Sequence, residues 1–349
     1  MKTKLLHLLL LLLCAGSFAQ TLGEFKPKDQ SNGLSKLKNA KRIYISGFEV
    51  NFQVYNEKEK FKQGGSMLGG GMKGDAQTSL SVGLEGLDEK TVQEITDKLY
   101  ADYIAKLKAK GLTIITADEA ARTETYADYM RQQGGKITLA EIPGVMTSSP
   151  TGFEYFIKGL DKKGKAKKGG FLGNETMLFP RLSRDLDDAI IGNVDITVLF
   201  VSDKGAFQGN GAKLKVSTNL RLVDSEGIIT TNDAKIKFKG SNDVTYVTST
   251  VGFYHGKMGA GSTSAYIGTL GKPLAINGVI DEATVTSYAA GSRDALGTST
   301  IYGTFYSVRD GNTAKAKVIP VDPAKYSTGV YAAAKKFLDY HTDEFLKSF

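Results

Sequence analysis

A chain of 349 residues with 45 basic and 37 acidic side chains carries a net charge of +8 at pH 7, too mild over that length to require a nucleic acid partner. Its one cysteine, Cys14, lies in the first nineteen residues, so a chain that loses them has no disulfide and no thiol nucleophile and is held by its core alone. Hydrophobic residues at 41% suffice for one large domain or two, and 40 glycines, 16 tyrosines and no tryptophan point to many turns and tyrosine-bearing strands.

Residues Met1–Ala19 read as a secretory signal peptide. Lys2 and Lys4 precede the run Leu8 to Leu13, and Ser17 and Ala19 put small residues at the −3 and −1 positions of a cut. The apolar run is far shorter than the roughly 20 residues a bilayer core needs. The expectation is a mature chain from Gln20 that works outside the cytoplasm, in the periplasm or at the outer membrane of a Gram-negative type of cell, with the extracellular medium as the alternative. A competing reading makes Cys14 an acylated first residue, but a lipobox calls for a small residue where Leu13 stands.

Residues 20–41 are polar and read as an N-terminal arm. Strand material starts at Arg42 and runs to Tyr55, with Phe48, Val50, Phe52 and Val54 on alternate positions and Glu49, Asn51 and Gln53 between them. Gly64 to Gly74 is a glycine-rich loop without the GK[ST] ending of a phosphate cradle. Ala76 to Leu84 alternates again, so the spacing predicts a hairpin of Phe48–Tyr55 with Ala76–Leu84, tipped by that loop. Asp88 to Lys110 is the clearest helix: Val92, Ile95, Leu99, Tyr103 and Leu107 make one apolar stripe, and Gly111 ends it. Leu112–Thr116 is a short strand, and Thr116 with Glu119 forms a capping box for a second helix.

Between Gln132 and Arg184 no periodicity survives, and Lys162, Lys163, Lys165, Lys167 and Lys168 cluster among glycines. These lysines suit an anionic lipid or lipopolysaccharide surface; the alternative is a solvated loop. Runs through Ile190–Phe200, Leu214–Leu222 and Ile228–Phe238, with a turn at Asp224–Gly227, predict an antiparallel meander. Small residues dominate from Val251 to Asn312, with strands near Tyr266–Leu270, Thr284–Tyr288 and Ile301–Val308, and a terminal helix follows Pro323. The fold class is α/β to α+β: a mixed sheet, a strand-helix-strand-helix N-terminal half, an antiparallel meander and a C-terminal helix. Its divisions are a signal peptide (1–19), an arm (20–41), an α/β module (42–240) and a β-rich region ending in a helix (241–349).

No constellation for chemistry stands out, and neither a cofactor nor a metal is expected. His255 and His341, the histidines beyond the signal, lie near no nucleophile elbow or HExxH pattern. Asp185, Asp187 and Asp188, and Asp224 and Glu226, are the carboxylates a hydrolase would have to bring within roughly 5 to 10 Å; helix-end and turn roles are the alternative. Tyr100 with Tyr103 and Tyr126 with Tyr129 suit either sugar stacking or the edge of a core.

The segments KRIYISGFEVNFQV, KLKAKGLTIIT, DDAIIGNVDITVLF and STNLRLVDSEGIITTNDAKIKF together resemble the α/β module of the curli secretion channel family and the N-terminal domain of TolB-like periplasmic proteins. The resemblance implies a non-catalytic envelope protein that associates with itself or with other envelope proteins as an assembly, docking or pore-related component. It makes the predicted hairpin the place for membrane insertion, although Glu57, Lys58, Glu59 and Lys60 set charges where lipid requires apolar residues. The alternatives are a glycan- or lipid-binding module using the lysine cluster, and a carboxylate-dependent secreted hydrolase.

Overall fold

The computed structural model describes residues 20–37, 40–62, 65–66, 72–73, 76–139, 144–159, 175–202, 213–230, 243–256, 263–288, 297–300, 303–306 and 317–348. The polar arm is woven into the body as β1 (Thr21–Leu22) and β2 (Pro27–Asn32). The next strand, β3 (Arg42–Gln53), buries Ile43, Ile45, Phe48, Val50 and Phe52 on one face. At Val54 the chain passes into β4 (Tyr55–Lys62), which is followed by the rungs β5 (Gly65–Ser66) and β6 (Met72–Lys73) and by β7 (Ala76–Glu85).

The hairpin is thus β4 with β7, Tyr55 opposite Gly83 through Lys62 opposite Ala76, and not Phe48–Tyr55 with Ala76–Leu84. Phe48, Val50 and Phe52 are fully buried in the main core. Drawing them into a projecting hairpin would forfeit about 1.5 to 3 kcal/mol each, so the charged stretch after them becomes the arm.

Helix α1 (Glu89–Ala109) forms as the stripe requires. Asp88 caps it by accepting from the Thr91 amide at 2.7 Å, Gly111 ends it at φ +85°, and all five stripe residues are buried. The next strand, β8 (Thr113–Ile114), lies parallel to β3. Helix α2 (Ala117–Ala120) is a single turn; Thr116 caps it, but the Glu119 carboxylate pairs with Arg42 and so leaves the capping box half made.

The stretch without periodicity holds β9 (Met130–Gln133), β10 (Ile137–Leu139), β11 (Val145–Ser148), β12 (Glu154–Ile157) and α3 (Glu175–Asp185). These strands are too short to display a repeat. Strand β13 (Ile190–Ser202) is the centre of the sheet, parallel to β3 and antiparallel, over its last residues, to β14 (Lys213–Leu222). Of the third run of the predicted meander, residues 231–238 lie outside the described residues; among the described ones, β15 (Glu226–Thr230) pairs with β16 (Asp243–Val247) and not with β14. The first half of β13 is lined by β17 (Thr250–Gly256), then β18 (Thr263–Leu270), with β2 at the edge.

The chain continues through β19 (Leu274–Asn277), β20 (Ala283–Tyr288), the pair β21 (Gly297–Thr300) and β22 (Gly303–Tyr306), and β23 (Lys317–Pro320), ending in α4 (Pro323–Leu346). Residues from both the 42–240 and the 241–349 stretches share one sheet, ordered β1-β19-β14-β13-β17-β18-β2, with β3 on β13. The fold is a mixed α+β architecture, with a large mixed sheet and a C-terminal helix. Helices α1 and α4 cover one face, where Phe345 stacks on Phe253 at 3.9 Å and Tyr103 packs beside Phe48. A smaller cluster on the other face sets Phe179 and Leu182 of α3 against Tyr44, Ile191 and Tyr126.

His341 fixes α4 to the sheet. Its Nε2–H donates to the Thr269 carbonyl at 2.9 Å, and its Nδ1, 2.8 Å from the Tyr266 hydroxyl, accepts. Burial holds its pKa down to about 4, against weaker opposing pulls from Thr269, Asp29 and Glu344. The unfolded chain, with histidine near 6.5, therefore binds the proton more readily, and acid favours unfolding. Stability should be complete above about pH 6.5 and fall as pH drops towards 4, and urea midpoints in His341→Gln should lose that part of the slope. Gly268 lies beneath the ring, and an added Cβ would sit 2.3 Å from His341 Cγ. Gly268→Ala should cost about 1 to 3 kcal/mol in thermal melts by displacing the helix.

Candidate functional site

Several strands leave the body together at the C-terminal end of β3 and β13. The last pair between these two is Phe52 with Val198. Immediately beyond it the Val54 and Tyr55 amides both donate to the Gly144 carbonyl, at 2.9 and 3.1 Å, and β4 departs to join β7. Gly144 has φ +80°, and a Cβ there would lie 2.1 Å from the Tyr55 carbonyl oxygen, so only glycine fits this turn. A second sheet forms in the order β23-β7-β4, with β23 parallel to β7. Strand β14 also runs past β13: Lys213–Thr218 pairs with Tyr288–Ala283 of β20, and β7 lies against both β14 and β20.

Strand β13 carries a bulge here, its register against β14 shifting between Leu199 and Val201. Phe200 and Val201 consequently both enter the main core, while Leu199 packs on the opposite face with Val223 and Ile228. The Gln53 side chain, buried at 2% exposure, accepts from the Phe200 amide at 3.1 Å and the Val201 amide at 3.0 Å. Arg221 donates to the Val201 carbonyl at 2.9 Å, to Asn219 at 2.7 and 3.0 Å, and to both carboxylate oxygens of Glu226. Every guanidinium nitrogen is engaged, as burial of that charge requires.

The five lysines at 162, 163, 165, 167 and 168 lie outside the described residues. The carboxylates divide into two groups at opposite ends of the sheet. Asp185, Asp187 and Asp188 close α3 just before Ile190, whereas Glu226 is bound to Arg221 beside Val201; that length of β13 is about 35 Å at roughly 3.3 Å per residue. No member of one group can therefore meet a member of the other.

Asp185 is occupied by Thr125 and Arg184; burial alone would raise its pKa, but those hydrogen bonds outweigh it and hold the carboxyl below the usual range. Asp187 faces Arg42 at 3.5 Å, and both Asp187 and Asp188 adopt φ +56° in the helix-ending turn. His255 is half-buried, and desolvation lowers its pKa. Tyr100, pushed up to about 12 by burial, packs against Phe48 and Phe153, and Tyr126 stacks on Phe156 at 4.3 Å: these are core-edge residues.

Among the described residues no group of three or more His, Cys, Asp or Glu side chains is placed to hold a metal ion, and no helix is long and apolar enough to cross a membrane, which leaves strands out of account. No family model, curated protein or solved structure matches this chain.

The sequence reading missed Gln53, which occupies a slot of the alternation that reads as solvent-facing, and Arg221, which looks like an ordinary outward strand residue. The available signal was Arg221 set between Leu220 and Leu222, with Glu226 one turn away. Arg221→Met alone strands a buried carboxylate and should cost about 3 to 5 kcal/mol in urea denaturation. Arg221→Met combined with Glu226→Leu removes both charges and leaves the Val201 carbonyl without its donor, so it should cost less than the single exchange, about 1 to 3 kcal/mol.

Proposed function

We propose that this is a non-catalytic, exported cell-envelope protein that assembles with further copies of itself through the strands at the end where β3 and β13 part. One observation carries the reading: among the described residues, β4 is an eight-residue strand at a sheet edge, paired with β7 on one side only. A long open edge is a template for another strand. The sequence of β4, YNEKEKFK, carries five charges, a composition that opposes indiscriminate pairing and favours a partner of matching charge pattern.

The leader expected over Met1–Ala19 places such an assembly outside the cytoplasm, and the resemblance to the curli secretion channel family, whose members build pores or docking platforms, points the same way. Light scattering coupled to size exclusion should find the envelope-extracted protein as a discrete oligomer. Lys58→Glu with Lys60→Glu should dissociate it by at least about tenfold in apparent Kd, with the circular dichroism spectrum of the folded copy unchanged. A strict monomer recovered from the culture medium would remove the proposal.

A further inference from the structure

Beyond Val198 the strand β13 has lost β3 as its neighbour, and its amides on that side need another acceptor. Gln53 supplies it: one buried side-chain oxygen takes the amides of two consecutive residues, Phe200 and Val201. In a regular strand consecutive amides point to opposite sides, so a single acceptor can satisfy both only where the strand is bulged. The same arrangement recurs alongside, where the Gly144 carbonyl takes the consecutive amides of Val54 and Tyr55. Two neighbouring strands are thus turned at one height by one device. Arg221 then fixes the other side of the bulge through the Val201 carbonyl, and Glu226 neutralises it.

We infer that Gln53 and the Arg221–Glu226 pair form a positioning joint, which sets the angle at which β13 and β14 run past the body and so the orientation in which the assembly edge meets the next copy of this chain. The geometry stands by itself, while the purpose given to it rests on the proposed self-assembly. A buried ion pair adds little to stability compared with apolar residues of the same volume, and its best-attested use is to select one register. Gln53 likewise contributes no apolar surface to the core; it selects the bulged form over the straight one.

Removal of the leader leaves a cysteine-free chain, so pairs of introduced cysteines can be spin-labelled without background. Lys108→Cys on α1 with Lys215→Cys on β14, both exposed positions, reports the joint, and Lys108→Cys with Lys336→Cys on α4 reports the body. Double electron–electron resonance on labelled protein diluted into unlabelled protein reads distances within one copy. The parent and Gln53→Glu, which keeps the acceptor, should give a narrow α1–β14 distribution. Gln53→Leu, and separately Arg221→Met with Glu226→Leu, should shift it or widen it at least about twofold while the body distance stays fixed.

An unchanged α1–β14 distribution in both variants, with the body intact, overturns the joint. Should Gln53→Leu unfold, which the body pair would reveal, the double exchange decides alone. A monomer that passes this test would end the assembly proposal and leave the joint standing.

Discussion

A buried strand that loses its neighbour before its end must find other partners for its backbone amides and carbonyls, because each one left unpaired away from water costs as much as a broken hydrogen bond. Strand β13 is in that position. It pairs with β3 from Ile190 to Val198 and then continues without it. Gln53 and Arg221 answer the requirement from inside the core, and they give the molecule a body that ends at a definite level and arms that begin there. Were β3 to remain on β13 to its end, β4 would not be free to pair with β7, and the second sheet would have no origin.

The body below that level is held by ordinary means. Two helices with apolar stripes close over one face of the sheet, and an ion network joins them: Lys106 reaches Asp339 and Asp343 of α4, and Lys335 reaches Asp102 of α1 and Asp339. These groups are partly exposed and individually weak, so the packing of Phe345 on Phe253 and the anchoring of His341 between Tyr266 and Thr269 carry more of the docking. The N-terminal arm adds to it. Gln20 donates from its amide to the Lys325 carbonyl, and Phe25 sets its edge to Tyr340 at 5.5 Å. Cys14 is the single cysteine of the chain, so it forms no internal disulfide, and this dense aromatic packing is the means by which the arm from Gln20 and the terminal helix α4 are held on one sheet.

Elements with a sustained repeat were legible in the sequence, and those without one were not. The stripe from Val92 to Leu107 predicted α1 to within a residue at either end, and the alternation from Phe48 predicted β3, because each is set by local periodicity. The partner of β7 was misjudged because alternation identifies a strand without saying which sheet it joins. Core burial of Phe48, Val50 and Phe52 decided that question, and burial is a property of the whole fold. The short strands between Met130 and Ile157 carry three or four residues each, below the length at which a period can be read. Gln53 was invisible for a related reason, and Arg221 was marked only by its place between Leu220 and Leu222: their importance lies in backbone groups left behind by another strand.

In the proposed assembly, β4 meets a strand of another copy. Residue-resolved hydrogen exchange on the protein tests it directly, because a backbone amide that gains a partner exchanges more slowly. With rising protein concentration, the outward amides of β4 should become protected while those of α1 and β3 stay constant. Exchange of the β4 amides at one rate across the whole concentration range would contradict the account.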